Sequence, residues 1–123
     1  MPLDLLIVDD SAAIRKILER VLRQAGIPIG NVHHSGDGVE AIDTLGKQNV
    51  GLILADINMP NMDGLELLGK VKAKTEWQDI PVIMVTTESS QTKVMQAVEL
   101  GPAGYIRKPF TADQIKAKLE GFF

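Results

Sequence analysis

Short and almost wholly apolar runs recur along the chain, each broken by polar residues and followed by a stretch whose apolar positions return every three or four residues. The clearest run is Leu52-Ile53-Leu54-Ala55, which ends in Asp56 and breaks at once into Ile57-Asn58-Met59-Pro60. A run of that length with no alternation predicts a strand buried on both faces, as in a parallel sheet covered by helices. Leu3 to Val8 is a second such run and ends in Asp9-Asp10. Pro81-Val82-Ile83-Met84-Val85 is a third, with its proline at the first residue, where no ladder hydrogen bond need be lost. It runs into Thr86-Thr87-Glu88, and Gly104-Tyr105-Ile106-Arg107 runs into Lys108-Pro109. Asn31-Val32-His33-His34 predicts a weak, short strand whose polarity suits a sheet edge, with Ile27 to Gly30 as a connection before it.

Five helices are predicted between and after these strands. Ser11 caps the first, with Ile14, Ile17, Leu18, Val21, Leu22 and Ala25 as its buried face and Gly26 as its stop. Asp37-Gly38-Val39-Glu40 has the spacing of a capping box and opens a helix with Val39, Ile42 and Leu45 inward. Asp63-Gly64-Leu65-Glu66 repeats that spacing ahead of Leu67, Leu68 and Val71. A fourth helix, from about Ser90 to Leu100, is predicted to bury Val94, Val98 and Met95, and Gly101-Pro102 ends it. Thr111-Ala112-Asp113-Gln114 is a third capping box, opening a helix with Ile115 and Leu119 inward. Strand and helix alternating in this way imply right-handed crossovers and an α/β fold with a parallel sheet.

Composition narrows the class. The 123 residues are the length of one domain, and Lys and Arg are spread along a chain of net charge -3, so no basic tract recommends nucleic acid as a partner. Without cysteine there is neither a disulfide framework nor a thiolate metal site. The longest apolar stretches fall far short of the ~20 residues that span a bilayer, and the N-terminus lacks a basic segment followed by an apolar core. A soluble, cytoplasmic domain is the expectation.

In such a sheet the ligand site lies at the carboxyl ends of the strands, near the point where strand order reverses. Asp9, Asp10, Asp56, Thr86 and Lys108 all fall at such ends. Taken singly each is ordinary: a solvated cap, a loop acid, a turn former, a surface lysine. Taken together they converge. Three carboxylates within a few ångströms repel by on the order of 4 kcal/mol per close pair at an effective dielectric near 20. A hard divalent cation suits such oxygen ligands, and Mg2+ in particular binds one or two carboxylates and leaves positions for phosphate oxygens. With Mg2+ and Lys108 the formal charge sums to about zero, so a phosphoryl group becomes tolerable and Asp56 is the natural nucleophile toward it.

At these residues the chain resembles the receiver domain of bacterial two-component response regulators over essentially its whole length. The family has an acidic pair after the first strand (Asp9, Asp10), a phosphoacceptor after the third (Asp56), Thr or Ser after the fourth (Thr86) and Lys-Pro after the fifth (Lys108-Pro109). The segment from Asn58 to Leu68 is especially similar to the single-domain chemotaxis regulators. The resemblance implies a flavodoxin-like (βα)5 sandwich with strand order 2-1-3-4-5. It implies a metal site in which Asp10 binds Mg2+ directly and Asp9 through water, with Asp56 and the Asn58 backbone carbonyl completing it. Lys108 would pair with the phosphoryl group and Thr86 would donate its hydroxyl to it. Tyr105 matches the switch aromatic, which turns inward as Thr86 moves, so that the face of the fourth helix, fifth strand and fifth helix is what partners read. Asn58 and Glu88 match the two positions that modulate phosphoryl lifetime.

The resemblance further implies a histidine kinase as donor, a downstream protein such as the flagellar motor switch or the kinase as target, and a monomer acting in chemotaxis or motility. Because the chain ends at Phe122-Phe123, directly after the last helix, no output domain is expected in residues 1–123, and the protein catalyses only its own phosphorylation and dephosphorylation. A receiver excised from a longer transcription factor or enzyme is the alternative. An aspartyl-phosphate hydrolase would want a second acid where Asn58 stands, and a flavodoxin-like cofactor binder would have its phosphate repelled by Asp9-Asp10. A docking module that works unphosphorylated is a further reading. His33 and His34 read as solvated edge-strand residues, Trp77 as loop packing, and Pro102 as a stiffener of the entry to the fifth strand.

Overall fold

The computed structural model describes residues 3–87 and 91–122. Five parallel strands, β1 (Leu3–Val8), β2 (Ile29–Ser35), β3 (Leu52–Ala55), β4 (Val82–Thr86) and β5 (Gly104–Arg107), form one sheet in the order β2-β1-β3-β4-β5. This is the flavodoxin-like order, and the reversal falls between β1 and β3. Period-two geometry sends alternate side chains to opposite faces. Leu6, Val8, Ile53, Ala55 and Met84 join one core, while Leu5, Ile7, Leu52, Leu54, Ile83, Val85 and Ile106 join the other. All of β3 and β4 is buried, as their unbroken apolar runs predict.

Helices α2 (Gly38–Lys47), α3 (Gly64–Ala73) and α4 (Gln91–Leu100) cover the first face, and α1 (Ala12–Gln24) and α5 (Ala112–Leu119) cover the second. A short 3-10 turn, Glu120–Phe122, follows α5. The predicted caps are in place. Ser11, Asp37, Asp63 and Thr111 each accept the backbone N–H three residues on, which satisfies a donor that the helix itself leaves over. Only Thr111 and Gln114 complete the reciprocal capping box, because Gln114 also accepts from the Thr111 amide.

The inward stripes differ from the predicted ones in three helices. In α2, Ala41 and Leu45 face the core, Gly38 is buried against Met62 and Ile42 is half-buried, so Val39, one residue round from Gly38, is 52% exposed. In α4 the buried position is Ala97, and Val98 and Met95 are 63% and 53% exposed. In α1, Leu18 and Leu22 carry the contact with Ile14, Val21 and Ala25 at its margins, and Ile17 is exposed. In all three, apolar residues outnumber those the core covers; in α2 and α4 a small residue, Ala41 or Ala97, takes a contact position, whereas in α1 Leu18 and Leu22 fill it. β2 is also longer than predicted and takes in Ile29 and Gly30 of the supposed connection. Its register with β1 shifts between Leu3 and Leu5, and Asp4 Oδ1 accepts the Asn31 amide there at 2.8 Å. A Cβ on Gly30 would lie 2.4 Å from that oxygen, so glycine fits the close approach.

Trp77 is buried in the turn after α3, against the α2 and α3 side of the core, with the Lys74 ammonium 4.3 Å from its ring centre. It packs the loop, as expected. Among the described residues no helix is long and apolar enough to cross a membrane.

Candidate functional site

The register of β1 against β3 determines which carboxylates meet. Leu5, Leu6, Ile7 and Val8 pair with Leu52, Ile53, Leu54 and Ala55, and the Asp56 amide donates to the Val8 carbonyl at 2.9 Å. One step beyond the last pair therefore sets Asp9 beside Asp56. The hydrogen-bonded register of the two strands therefore holds the two acids together. Asp10 follows, exposed, at the start of the loop into α1. Asp9, Asp10 and Asp56 each offer a carboxylate oxygen within 4.8 Å of the others, the one such group of three acids or histidines among the described residues.

Lys108 comes from the far side of the sheet. β5 pairs with β4, and the Lys108 amide donates to the Thr86 carbonyl at 3.0 Å, which brings the lysine over the tips of the central strands. Its Nζ lies 2.6 Å from Asp9 Oδ2 and 3.4 Å from Asp56 Oδ2. All three side chains are nearly buried, so this ammonium offsets part of the repulsion between the carboxylates at the strand tips. The remaining oxygens are satisfied by backbone. Asp56 Oδ1 accepts the Ile57 amide at 2.7 Å, and Asp9 Oδ1 accepts the Ser11 amide at 2.9 Å. Four of the five residues that sequence reasoning placed together, Asp9, Asp10, Asp56 and Lys108, thus meet in one group.

Thr86 ends β4 fully buried, and Tyr105 is half-buried on β5 in register with Met84. Tyr105 packs against the core beneath α2, α3 and α4. Asn58 is exposed in the loop after β3, where its Oδ1 accepts from Lys93 Nζ at 2.9 Å. Glu88 lies outside the described residues. His33 and His34 take no part in the acidic group. His34 is not simply solvated: its Nε2 lies 2.7 Å from Glu19 Oε1 on α1. That hydrogen bond, opposed by burial and assisted by Arg23, holds the Glu19 carboxyl below its ordinary 4.5.

Three supporting residues were not singled out for the site from sequence. Arg15 donates from Nη1 to the Asp9 carbonyl and so braces the β1–α1 turn from the first turns of α1. Gly64 donates its amide to the Ile57 carbonyl at 2.8 Å, and a Cβ there would lie 2.0 Å from the Asp56 carbonyl oxygen. Only glycine lets α3 start so close to the acid. The loop between is tied to α2: Asn61, at φ 65°, donates to Asp37 Oδ2 at 2.7 Å, and Gly38 donates to the Met62 carbonyl at 3.0 Å. The Asn61 hydrogen bond, with backbone amides of α2 behind it, holds the Asp37 carboxyl below its ordinary 3.8. The Asp-Gly pairs at Asp37-Gly38 and Asp63-Gly64 were visible as caps, but their second use in bringing backbones together depends on tertiary contact.

The model for the response regulator receiver domain matches residues 5–120. The chain belongs to that family. As a receiver, a signalling domain, it has curated relatives of nearly its own extent. It is 44% identical over 117 residues to a "Chemotaxis protein CheY homolog" of Campylobacter jejuni, covering 94% of this chain and 88% of the relative. It is 38% identical to "Chemotaxis protein CheY-3" of Vibrio cholerae, covering 97% and 90%. Among solved structures, the receiver resembles the chemotaxis response regulator CheY4 of Vibrio cholerae with a TM-score of 0.86 at 31% identity over 100% of both chains.

Proposed function

We propose that the chain is a single receiver domain, residues 1–123, that takes a phosphoryl group from a histidine kinase onto Asp56 and signals by binding a protein partner in chemotaxis or motility. The observation that carries this reading is the gathering of Asp9, Asp10 and Asp56 within 4.8 Å, with the Lys108 ammonium 2.6 Å from Asp9 and 3.4 Å from Asp56. The kinship to chemotaxis proteins of similar length supports the pathway.

The donor set fits Mg2+: three carboxylates, hard oxygens without sulfur or imidazole, and too much negative charge for one lysine to balance. Asp9, Asp10, Asp56 and the Asn58 backbone carbonyl would hold it. Bound there, Mg2+ supplies positive charge for the phosphoryl oxygens and helps to order them. The chain's own residues do the rest. An Asp56 carboxylate oxygen forms a bond to phosphorus while the bond from phosphorus to the donor's imidazole nitrogen breaks, and the electron pair leaves with the imidazole. Lys108 stands where it can exchange an Asp56 oxygen for a phosphoryl oxygen without leaving the site. Thr86 donates its hydroxyl to the same group, and Asn58 and Glu88 set how long the acyl phosphate lasts.

Signal output follows from β4 and β5. As Thr86 is drawn toward the phosphoryl group, Tyr105 turns inward, and the surface of α4, β5 and α5 changes for a partner such as the flagellar motor switch or the kinase. Exposed Val98 and Met95 on α4 support this surface, because apolar side chains left in water are what a partner can cover. The protein acts as a cytoplasmic monomer, and it catalyses only its own phosphorylation and dephosphorylation.

Intact-protein mass spectrometry after incubation with acetyl phosphate tests the reading. A single phosphoryl adduct is expected on the wild-type chain with Mg2+, and none without Mg2+ or on Asp56→Asn. An adduct on Asp56→Asn at the wild-type rate would move the nucleophile elsewhere. A folded wild-type chain with no adduct would favour a docking module that works unphosphorylated.

A further inference from the structure

Lys93 is the third residue of α4, and it reaches across to the loop after β3, where its Nζ lies 2.9 Å from Asn58 Oδ1. The chemistry of the pair fixes its orientation. An ammonium has donors and no acceptor, whereas a carboxamide has an acceptor oxygen on one branch and a donor NH2 on the other. The Asn58 oxygen must therefore turn to Lys93, which leaves the NH2 on the opposite branch of the planar group. Without Lys93, nothing in this pair would decide between the two amide orientations.

That choice matters two residues from Asp56. Hydrolysis of an aspartyl phosphate forms a bond from a water oxygen to phosphorus and breaks the Asp56 oxygen–phosphorus bond, returning a carboxylate and inorganic phosphate. An amide oxygen facing the phosphoryl group would accept from that water and aim its lone pair at phosphorus. An NH2 in the same place donates to phosphoryl oxygens or to the water's lone pair, and so stabilises the acyl phosphate against attack. Resting on the phosphoacceptor reading of Asp56, we propose that Lys93 is a positioning residue that holds the Asn58 amide with its donor side toward the phosphoryl group and thereby lengthens the life of the phosphorylated state. The same contact joins α4 to the β3–α3 loop, so the length of the signal is set in part from the helix that carries the exposed apolar residues of the output surface.

The test phosphorylates the full chain with acetyl phosphate and Mg2+, removes the donor, and follows loss of the adduct by intact-protein mass spectrometry. Lys93→Met is expected to lose the adduct roughly three- to tenfold faster than wild type, the range appropriate to one partly exposed, charge-assisted hydrogen bond. Lys93→Arg, which also only donates, should stay within about twofold of wild type. In an Asn58→Ala background, Lys93→Met should change nothing further, because no amide remains to be oriented. A Lys93→Met lifetime equal to that of wild type overturns the proposal, and so does an acceleration that persists undiminished beside Asn58→Ala, which would make Lys93 a direct electrostatic effector. Absence of any wild-type adduct appears before a variant is compared and overturns the phosphoacceptor reading together with this one.

Discussion

Helices α3 and α4 are both ten residues long and lie on the same face of the sheet, yet they are held in different ways. α3 buries Gly64, Leu65, Leu67, Leu68 and Val71. It is capped by Asp63, and its first residue is pressed against the Asp56 carbonyl. α4 buries Ala97 alone and leaves Val98 and Met95 more than half exposed. At ~25 cal/mol per Å2 of apolar surface, a buried leucine contributes about 2 kcal/mol and a buried alanine far less. The helix that begins against Asp56 is thus anchored in the core by Leu65, Leu67, Leu68 and Val71, whereas α4 has Ala97 as its one fully buried residue, with Val94 half-buried beside it. An element held by so little can shift between two arrangements for the energy that a local charge change supplies.

The contrast breaks first at Leu68. This side chain is fully buried between α3 and the sheet, so Leu68→Ala should cost about 3 kcal/mol in denaturant unfolding, through lost transfer energy and the cavity left behind. A cost below about 1 kcal/mol would mean that α3 relaxes to fill the space and is no better anchored than α4.

A smaller effect lies at the corner where α2 meets the β3–α3 loop. Asp37 has its carboxyl held below 3.8 in the folded protein, chiefly by Asn61. A folded value under the unfolded one stabilises the protein above the unfolded pKa, and that contribution is lost as pH falls through the folded value. Acid should therefore loosen this corner below about pH 4, while Asp37→Asn, with nothing to titrate, should lose less stability over the same range. Thermal unfolding of the two proteins from pH 6 to pH 3 measures the difference. Equal slopes would show that the Asn61 contact does not favour the charged form.

What could be read from sequence divides along the same line. The short run Leu52 to Ala55, broken at once by Asp56 and Pro60, reads as a strand covered on both faces, and its position sets Asp56 at the sheet's edge; the acids of β1 and the lysine after β5 follow from parallel topology. Side-chain period and strand ends are local properties, so the sheet and its acidic site were legible. The inward stripe of α4 was not. Val94, Val98 and Met95 are the large apolar residues of that helix, and a rule that buries the largest must choose them over Ala97. Which side faces the sheet depends on how closely the helix approaches, and a small residue at the contact leaves no signal in hydropathy. Arg15, Lys93 and the second role of Gly64 escaped for a related reason, since each contact reaches outside its own helix to a loop or strand end. The roles proposed for Thr86, Tyr105, Asn58 and Glu88 rest on the family resemblance, since no periodicity would give them.

The smallest expected effect is the most diagnostic of the comparison. Val98 is 63% exposed, so truncating it removes surface that folding left mostly in water. Val98→Ala should change unfolding free energy by less than about 0.5 kcal/mol, the range of an ordinary surface substitution. Alanine is also the better helix former, which offsets whatever small contact is lost. Measured beside Leu68→Ala under the same conditions, the two costs should differ by a factor of about five or more. If Val98→Ala instead cost as much as about 1.5 kcal/mol, the valine would be packed in solution, with α4 rolled so that its apolar face meets β5. The surface assigned to partners would then be closed at rest, and phosphorylation would have to expose it instead of reshaping an exposed one.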